Sequence, residues 1–430
     1  MMLKKVFYSV AVASFFSPLS YGMSLNEAFL HVQKNSPIIL AASYRSSAQI
    51  EQVKQEQAGY LPTLDVYSSW GKEKSRNSTV AGRTNDKDAF ETLTRNEGKI
   101  TLKQFIFDGL ETQNRILGAK AESMAEVQNK LDVQESTFFS VVQVYMDVLR
   151  HQMLLDHGRD YVSVQKAIAD KVDDRASTGY GDKADQLQAS SRLRLARAEL
   201  RQIERDLASA KASFERVVGV QPEDLSMPDT VLSMPSGLQD AVRKALSVHP
   251  SLKMAEYRKD AAEKNYEASK GRNFPEFGLE LSASRNRNLD GSKSPSDDFN
   301  ALITMNYNLF RGGADKARIK QRAEQMNESM QEYQETYRKI KETVSQSWFA
   351  LDAAQKRVKE INGYADEREQ VKNSFFEQYQ VGRRSLLNLL DSEQESFNAR
   401  KLQVNEQFTL HLEKYRLVSS MGVLASSHKF

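Results

Sequence analysis

In the stretch NFPEFGLELSAS, residues 273–284, a charged, helix-favouring sequence meets a proline and changes its period. Pro275 lacks an N–H and has a fixed φ, so a helix cannot run through it. Beyond it Phe277, Leu279, Leu281 and Ala283 alternate with Glu276, Gly278, Glu280 and Ser282. Period two marks a strand with one apolar and one polar face. The alternation recurs over 63–71, 98–107 and 300–310, which predicts four strands. Leu64, Val66 and Trp70 take the register of Phe277, Leu279 and Ala283, while Ile100, Leu102 and Ile106 take that of Ile303, Met305 and Leu309. Asp65, Tyr67, Lys99, Thr101, Thr304 and Asn306 fall on the other face. The connections 72–97 and 285–298 are polar, rich in Asn, Ser, Gly and Asp, and read as loops.

The chain matches itself. Leu25-Asn-Glu-Ala28 with Ser36-Pro37 repeats as Leu238-Gln-Asp-Ala241 with His249-Pro250, and Tyr60-Leu61-Pro62 as Asn273-Phe274-Pro275, at an offset of 213. Further on the offset is 203: Phe107-Asp-Gly109 pairs with Phe310-Arg-Gly312, Gly179 with Gly382, and Val218-Gly219-Val220 with Met421-Gly422-Val423. A repeat of about 200 residues is far above solenoid periods and implies an internal duplication. The predicted organisation is a first repeat over 23–220, a proline-marked linker over 221–237, a second repeat over 238–423 and a C-terminal tail over 424–430.

Residues 1–22 read as a secretory signal peptide: Lys4 and Lys5 precede an apolar run from Val6 to Phe16, followed by small residues at Ser20 and Gly22. A membrane anchor would need about 20 apolar residues, and this run has 11. Cleavage would take the formal charge from +3 to +1. Sixty Lys and Arg against 57 Asp and Glu leave no field for nucleic acid. The mean hydropathy of −0.59 excludes a polytopic helical membrane protein. With no cysteine, an exported chain has neither a disulfide nor a lipoprotein acyl site.

Between the strands the chain reads as helix. In the second half, over 314–380, Ile319, Ala323, Met326, Met330, Tyr333, Tyr337, Ile340, Val344, Ser347, Leu351, Ala354, Val358, Ile361 and Ala365 recur at steps of four and three, a coiled-coil seam. Its counterpart over 110–176 carries denser clusters, Phe138, Phe139, Val141, Val142, Tyr145, Val148 and Leu149, as expected of a helix packed on several sides. Each long helix spans roughly 100 Å at 1.5 Å per residue. Shorter helices over 25–59 and 182–216 would stack end to end beside the first, and those over 238–272 and 385–419 beside the second.

Alternation over nine residues also describes any half-buried sheet. Two features favour lipid: the export signal, and four strands that cannot close on themselves and would leave edges that no membrane tolerates. Oligomerisation closes them, with eight strands from two copies or twelve from three. The duplication, the paired hairpins, the coiled-coil columns and the YLP, FDG and LFRGG punctuation resemble the TolC family of outer-membrane channel-tunnels over essentially the whole mature chain. The resemblance implies a mainly α fold with a transmembrane β-barrel contribution. It implies a homotrimer whose strands share one barrel in outer-membrane lipid and whose helices continue it through the periplasm.

It also implies site residues. Matching Gly179 and Gly382 to the family's turn glycines places Asp185, Tyr379 and Arg384 on its periplasmic lock and Asp391 on one of two positions of an acidic pore ring. The other is Asn388 here, which halves the acidic charge. The turns Thr178-Gly179-Tyr180 and Val381-Gly382-Arg383 fall where the family meets its adaptor, and depart in part from its Val-Gly-Leu pattern. Phe430 reads as the end of a free tail, not an assembly signal.

No catalytic constellation is present. The six histidines lack metal spacing, and there is no phosphate-binding glycine loop or nucleophile elbow, so an enzyme, a cofactor and a metal are not expected. The expected function is a passive exit duct working with a periplasmic adaptor and an inner-membrane ABC transporter or efflux pump. Arg95-Asn96, Thr101-Leu-Lys-Gln-Phe-Ile-Phe-Asp-Gly109 and Asn288-Leu-Asp-Gly291 look most like members serving type I secretion. Multidrug efflux is the alternative, and a non-channel periplasmic coiled-coil scaffold is a second.

Overall fold

The computed structural model describes residues 23–179, 182–228 and 233–427. The leader read over 1–22, the turn residue Tyr180 and the terminal Phe430 lie outside the described residues. In chain order the elements are α1 (Leu25–Asn35), α2 (Pro37–Gln57), β1 (Thr63–Ser75), α3 (Ser78–Thr84), β2 (Glu91–Phe107), α4 (Glu111–Ser177), α5 (Lys183–Val218), α6 (Leu238–Val248), α7 (Pro250–Lys270), β3 (Glu276–Arg287), β4 (Ser296–Asn306), α8 (Ala314–Gln380), α9 (Leu386–Ser420) and α10 (Leu424–Ser427). The fold is mainly helical with one antiparallel sheet in the order β1-β2-β3-β4.

Two expected helices are broken. Ser24 opens α1 with a capping box, its Oγ accepting from the Glu27 N–H while the Glu27 carboxylate accepts from Ser24 N–H at 2.7 Å. At Ser36 the backbone turns extended, because Pro37 disfavours a helical residue before it, and α2 restarts with Pro37 in its first turn. The second half repeats this at His249 and Pro250, where the imidazole Nδ1 accepts the Ser251 N–H at 3.1 Å. The segments read as single helices over 25–59 and 238–272 are therefore elbows.

The sheet holds the expected faces in register. Leu64, Leu102, Leu281 and Ala301 form one row across all four strands, and Val66, Ile100, Ala283 and Phe299 the next. Asp65, Thr101, Ser282 and Asn300 line the opposite face. A register shift between Phe105 and Phe107 sets Phe107 opposite Phe277. Much of the connection read as a loop over 72–97 is instead strand, with α3 at its tip. Charge pairing supports the ladder there: Arg95 of β2 binds Glu73 across the strands at 3.1 Å and Glu97 on its own strand at 2.5 Å. β4 stops at Asn306 rather than continuing to 310.

At one end of the sheet each strand joins a helix through a short connection, so the order β1-β2-β3-β4 continues as α2-α4-α7-α8 in a single layer. Lower down, α5 takes the place of α2 beside α4, and α9 the place of α7 between α4 and α8. Each long helix, 67 residues, thus spans the two shorter ones stacked beside it. The seam of α8 is buried at Ile340, Val344, Ser347, Leu351, Ala354 and Ala365, while Met330 and Tyr337 are exposed. The main core lies at mid-height, where Phe29 stacks on Phe138 at 4.6 Å between ring centroids and Tyr145 packs beside Phe214. The Tyr145 hydroxyl donates to the Ser226 carbonyl at 2.7 Å, tying the linker to α4. Truncating such a wholly buried aromatic costs about 3–5 kcal/mol. The segment read as a tail begins by docking: Leu424 is fully buried, and Glu135 of α4 accepts its N–H.

Candidate functional site

Two regions of the layer bear on function: the turns at the end remote from the sheet, and the apolar face of the sheet itself. At the first turn, α4 ends through its own side chains, Ser177 and Thr178 both donating to the Asp174 carbonyl, at 2.8 and 3.1 Å. Gly179 then adopts φ +83°, which a Cβ would strain although the space around it is open. At the second turn Gly382 has φ +75°, and the Arg383 N–H reaches the Gln378 carbonyl at 2.8 Å, a Schellman-type closure. Ser385 caps α9 by accepting the Asn388 N–H at 3.3 Å. Thr178, Val381 and Arg383 are exposed.

Beneath these turns a small separate core of Ile168, Val172, Ala189, Leu386, Leu389 and Leu390 joins α4, α5 and α9, with Phe376 and Tyr379 of α8 packed against it. It fixes the helices that hold the expected lock. Tyr379 faces α4, where Arg175 donates to its hydroxyl at 3.4 Å and lies 5.5 Å from its ring centroid. Arg384 bonds the Gln378 side chain at 2.8 Å and stands 4.2 Å from the Phe375 ring. Asp185, in the first turn of α5, is exposed and has no side-chain partner among the described residues. Within one chain, then, Asp185, Tyr379 and Arg384 share an end of the molecule without bonding one another.

Asn388 and Asp391 lie one turn apart in the first turns of α9. Asp391 is half exposed and forms an ion pair with Arg192 of α5. Two turns into α9, Glu393 is buried, and burial pushes its carboxyl above the usual range while Lys372 draws it down. Neighbouring Glu369 is held below that range: burial raises it, but hydrogen bonds from Lys372 and Ser396 prevail. Sequence reasoning missed Arg175 and Arg192. Arg175 had a signal, a cation in the last turn of a helix. Arg192 had none, since its partner lies 199 residues away.

The apolar rows of the sheet are left open: Leu64, Val66, Trp70, Phe299 and Ile303 are 66–85% exposed. So wide a bare apolar face is not left to water. Among the described residues no helix is long and apolar enough to cross a membrane. A sheet wall continued by a helical column is the architecture of an outer-membrane channel-tunnel. The comparisons agree. The family model described as outer membrane efflux protein matches residues 31–220 and 241–423, and the chain belongs to that family.

Among its relatives, the proteases secretion protein PrtF of Dickeya chrysanthemi is 24% identical over 425 residues, 93% of this chain and 88% of that one. The outer membrane efflux protein BepC of Brucella suis biovar 1 (strain 1330) is 24% identical over 324 residues, 75% and 71% of the two chains. The solved outer-membrane channel CmeC of Campylobacter jejuni superposes with a TM-score of 0.81 at 12% identity, covering 99% of this chain and 94% of that one. The protein is thus an outer-membrane transport conduit and not an enzyme.

Proposed function

We propose that three copies of this chain form the outer-membrane exit duct of a tripartite type I secretion system, receiving a protein substrate from an inner-membrane ABC transporter through a periplasmic adaptor. The supporting observation is a sheet with two unpaired edges, β1 and β4, above a helical layer whose two flanks are open. α2 and α5 leave Tyr44, Leu187 and Leu195 exposed on one flank, and α8 leaves Met330, Tyr337, Phe349 and Tyr364 exposed. A head-to-tail contact of one flank on the other is heterologous and closes as a ring. Four strands from each of three chains then make a barrel without edges.

In this assembly Asp185, Tyr379 and Arg384 hold the tip turns of adjacent chains together, Asn388 and Asp391 line the narrowest part of the duct, and the turns around Gly179 and Gly382 meet the adaptor. The 23–220 and 238–423 repeats supply equivalent walls. Secretion is favoured over drug efflux by the loop and strand residues 95–96, 101–109 and 288–291, and by the secretion relative that matches nearly end to end. Deleting the gene and comparing the secreted proteome with drug susceptibility tests this. Loss of one large extracellular protein at unchanged susceptibility is expected; the opposite pattern assigns the duct to efflux.

A further inference from the structure

We propose that four arginines just beneath the sheet form a binding site for the phosphate of an anionic phospholipid headgroup in the periplasmic leaflet; this rests on the outer-membrane reading of the sheet. A cavity of about 430 Å³ opens between α4, α7 and α8, lined by Arg115, Arg272, Arg318 and Arg322 together with Glu111 and Asn265. The acids present do not balance it. Glu56 binds Arg115 at 2.9 Å, and Glu111 lies 4.0 Å from Arg115 and 3.5 Å from Arg272. Arg318 has no hydrogen-bond or ion-pair partner among the described residues, and Arg322 bonds only the Gln325 amide oxygen, at 2.9 Å. Arg318 and Arg322 stand four residues apart on one helix face, where like charges repel. Two planar forks of N–H donors aimed at one cavity suit a phosphate, whose oxygens accept them in pairs.

Depth selects the source of the phosphate. At the junctions of strand and helix Tyr60, Phe274, Tyr307 and Phe310 are exposed, an aromatic girdle of the kind that marks the edge of the hydrocarbon. Arg115 and Arg318 each lie four residues into their helices, about 6 Å below the helix start, and Arg322 about 12 Å. The headgroup layer beyond the hydrocarbon is roughly 5–7 Å thick on each side. Arg115 and Arg318 therefore sit where lipid phosphates lie, with Arg272 lining the same cavity, and Arg322 closes the site from below.

The test is native mass spectrometry of the detergent-purified, full-length protein offered phosphatidylglycerol and phosphatidylcholine in equal amounts. Phosphatidylglycerol is expected to be retained preferentially, and Arg318→Gln with Arg322→Gln is expected to weaken its retention about tenfold or more. Arg338→Gln with Lys341→Gln, lower on α8, should leave it unchanged. Equal retention of the two lipids, or retention unaffected by the first pair, overturns the proposal. Full displacement by equimolar inorganic phosphate also overturns it, making the cavity a free-anion site. A protein present in the outer-membrane fraction but without lipid preference sinks only this site; absence from that fraction sinks the membrane reading and this site with it.

Discussion

Arg192 of α5 and Asp391 of α9 form an ion pair that joins the two repeats near the tip, and it neutralises the one acid expected at the constriction. Asp391 is half exposed, so the pair contributes about 0–1 kcal/mol to stability. Its effect is expected in conduction. Arg192→Ala should leave folding unchanged and raise cation selectivity, read as a shift in reversal potential across a planar bilayer under a salt gradient; Asp391→Asn should shift it the other way. Identical reversal potentials would remove Asp391 from the duct wall.

Asp185→Ala combined with Arg384→Ser is expected to raise single-channel conductance. Asp185 has no side-chain partner among the described residues of its own chain, whereas Arg384 keeps Gln378 and Phe375. If the two residues link neighbouring chains as proposed, the combined variant removes that link while the fold of each chain stays intact. Unchanged conductance would end the lock assignment.

Gly109 and Gly312 occupy matching places in the two repeats but should not tolerate alanine equally. A Cβ on Gly109 would stand 2.2 Å from the Gly271 carbonyl oxygen, at φ +69°, whereas one on Gly312 meets nothing within 4 Å at φ +62°. Gly312→Ala should cost about 1–2 kcal/mol, the left-handed penalty alone. Gly109→Ala adds a backbone clash and should abolish outer-membrane assembly, as followed by heat-sensitive oligomer on gels.

Glu135 makes stability depend on pH. It accepts the N–H groups of Leu424 and Ala425 at 2.9 and 2.8 Å, yet burial pushes its pKa up to about 7. A raised carboxyl pKa means that the folded chain keeps its proton while the unfolded chain loses it. This stabilisation is full below about 4.5 and is lost as pH rises to about 7, on the order of 3 kcal/mol at most. His249 acts in the opposite sense: burial lowers its pKa, and its Nδ1 must stay unprotonated to cap α7, so its contribution is lost as pH falls through its folded value, below 6.5. Asp132 raises both pKa values. Denaturation at several pH values should show a flatter slope between pH 4.5 and 7 for Glu135→Gln, and less acid sensitivity for His249→Asn. Parallel curves for wild type and Glu135→Gln would contradict the first assignment.

The strands and long helices were legible because apolar residues repeat along them at fixed periods: Leu64 and Val66, and Ile303 and Met305, at two, Ile340 to Ala365 at three and four. Pro37 and Pro250 were visible as punctuation, but an elbow and a tolerated first-turn proline look alike in sequence. The extension of β1 and β2 was hidden because its ladder is held by Glu73, Arg95 and Glu97, charged residues that read as loop. At the tip the glycines were legible, since positive φ is a local demand. The partners of Arg175 and Arg192 were not, because they come from the other repeat.

The chain's lack of cysteine permits the most direct test of where the sheet lies. Single spin labels at Leu64→Cys, Asp65→Cys, Val66→Cys and Tyr67→Cys, in the protein reconstituted in bilayers, report contact with oxygen, which concentrates in lipid, and with a water-soluble nickel chelate. A period of two is expected: oxygen relaxes the labels at 64 and 66, and nickel those at 65 and 67. Labels at 64 and 66 relaxed by nickel, or shielded from both reagents, would contradict it.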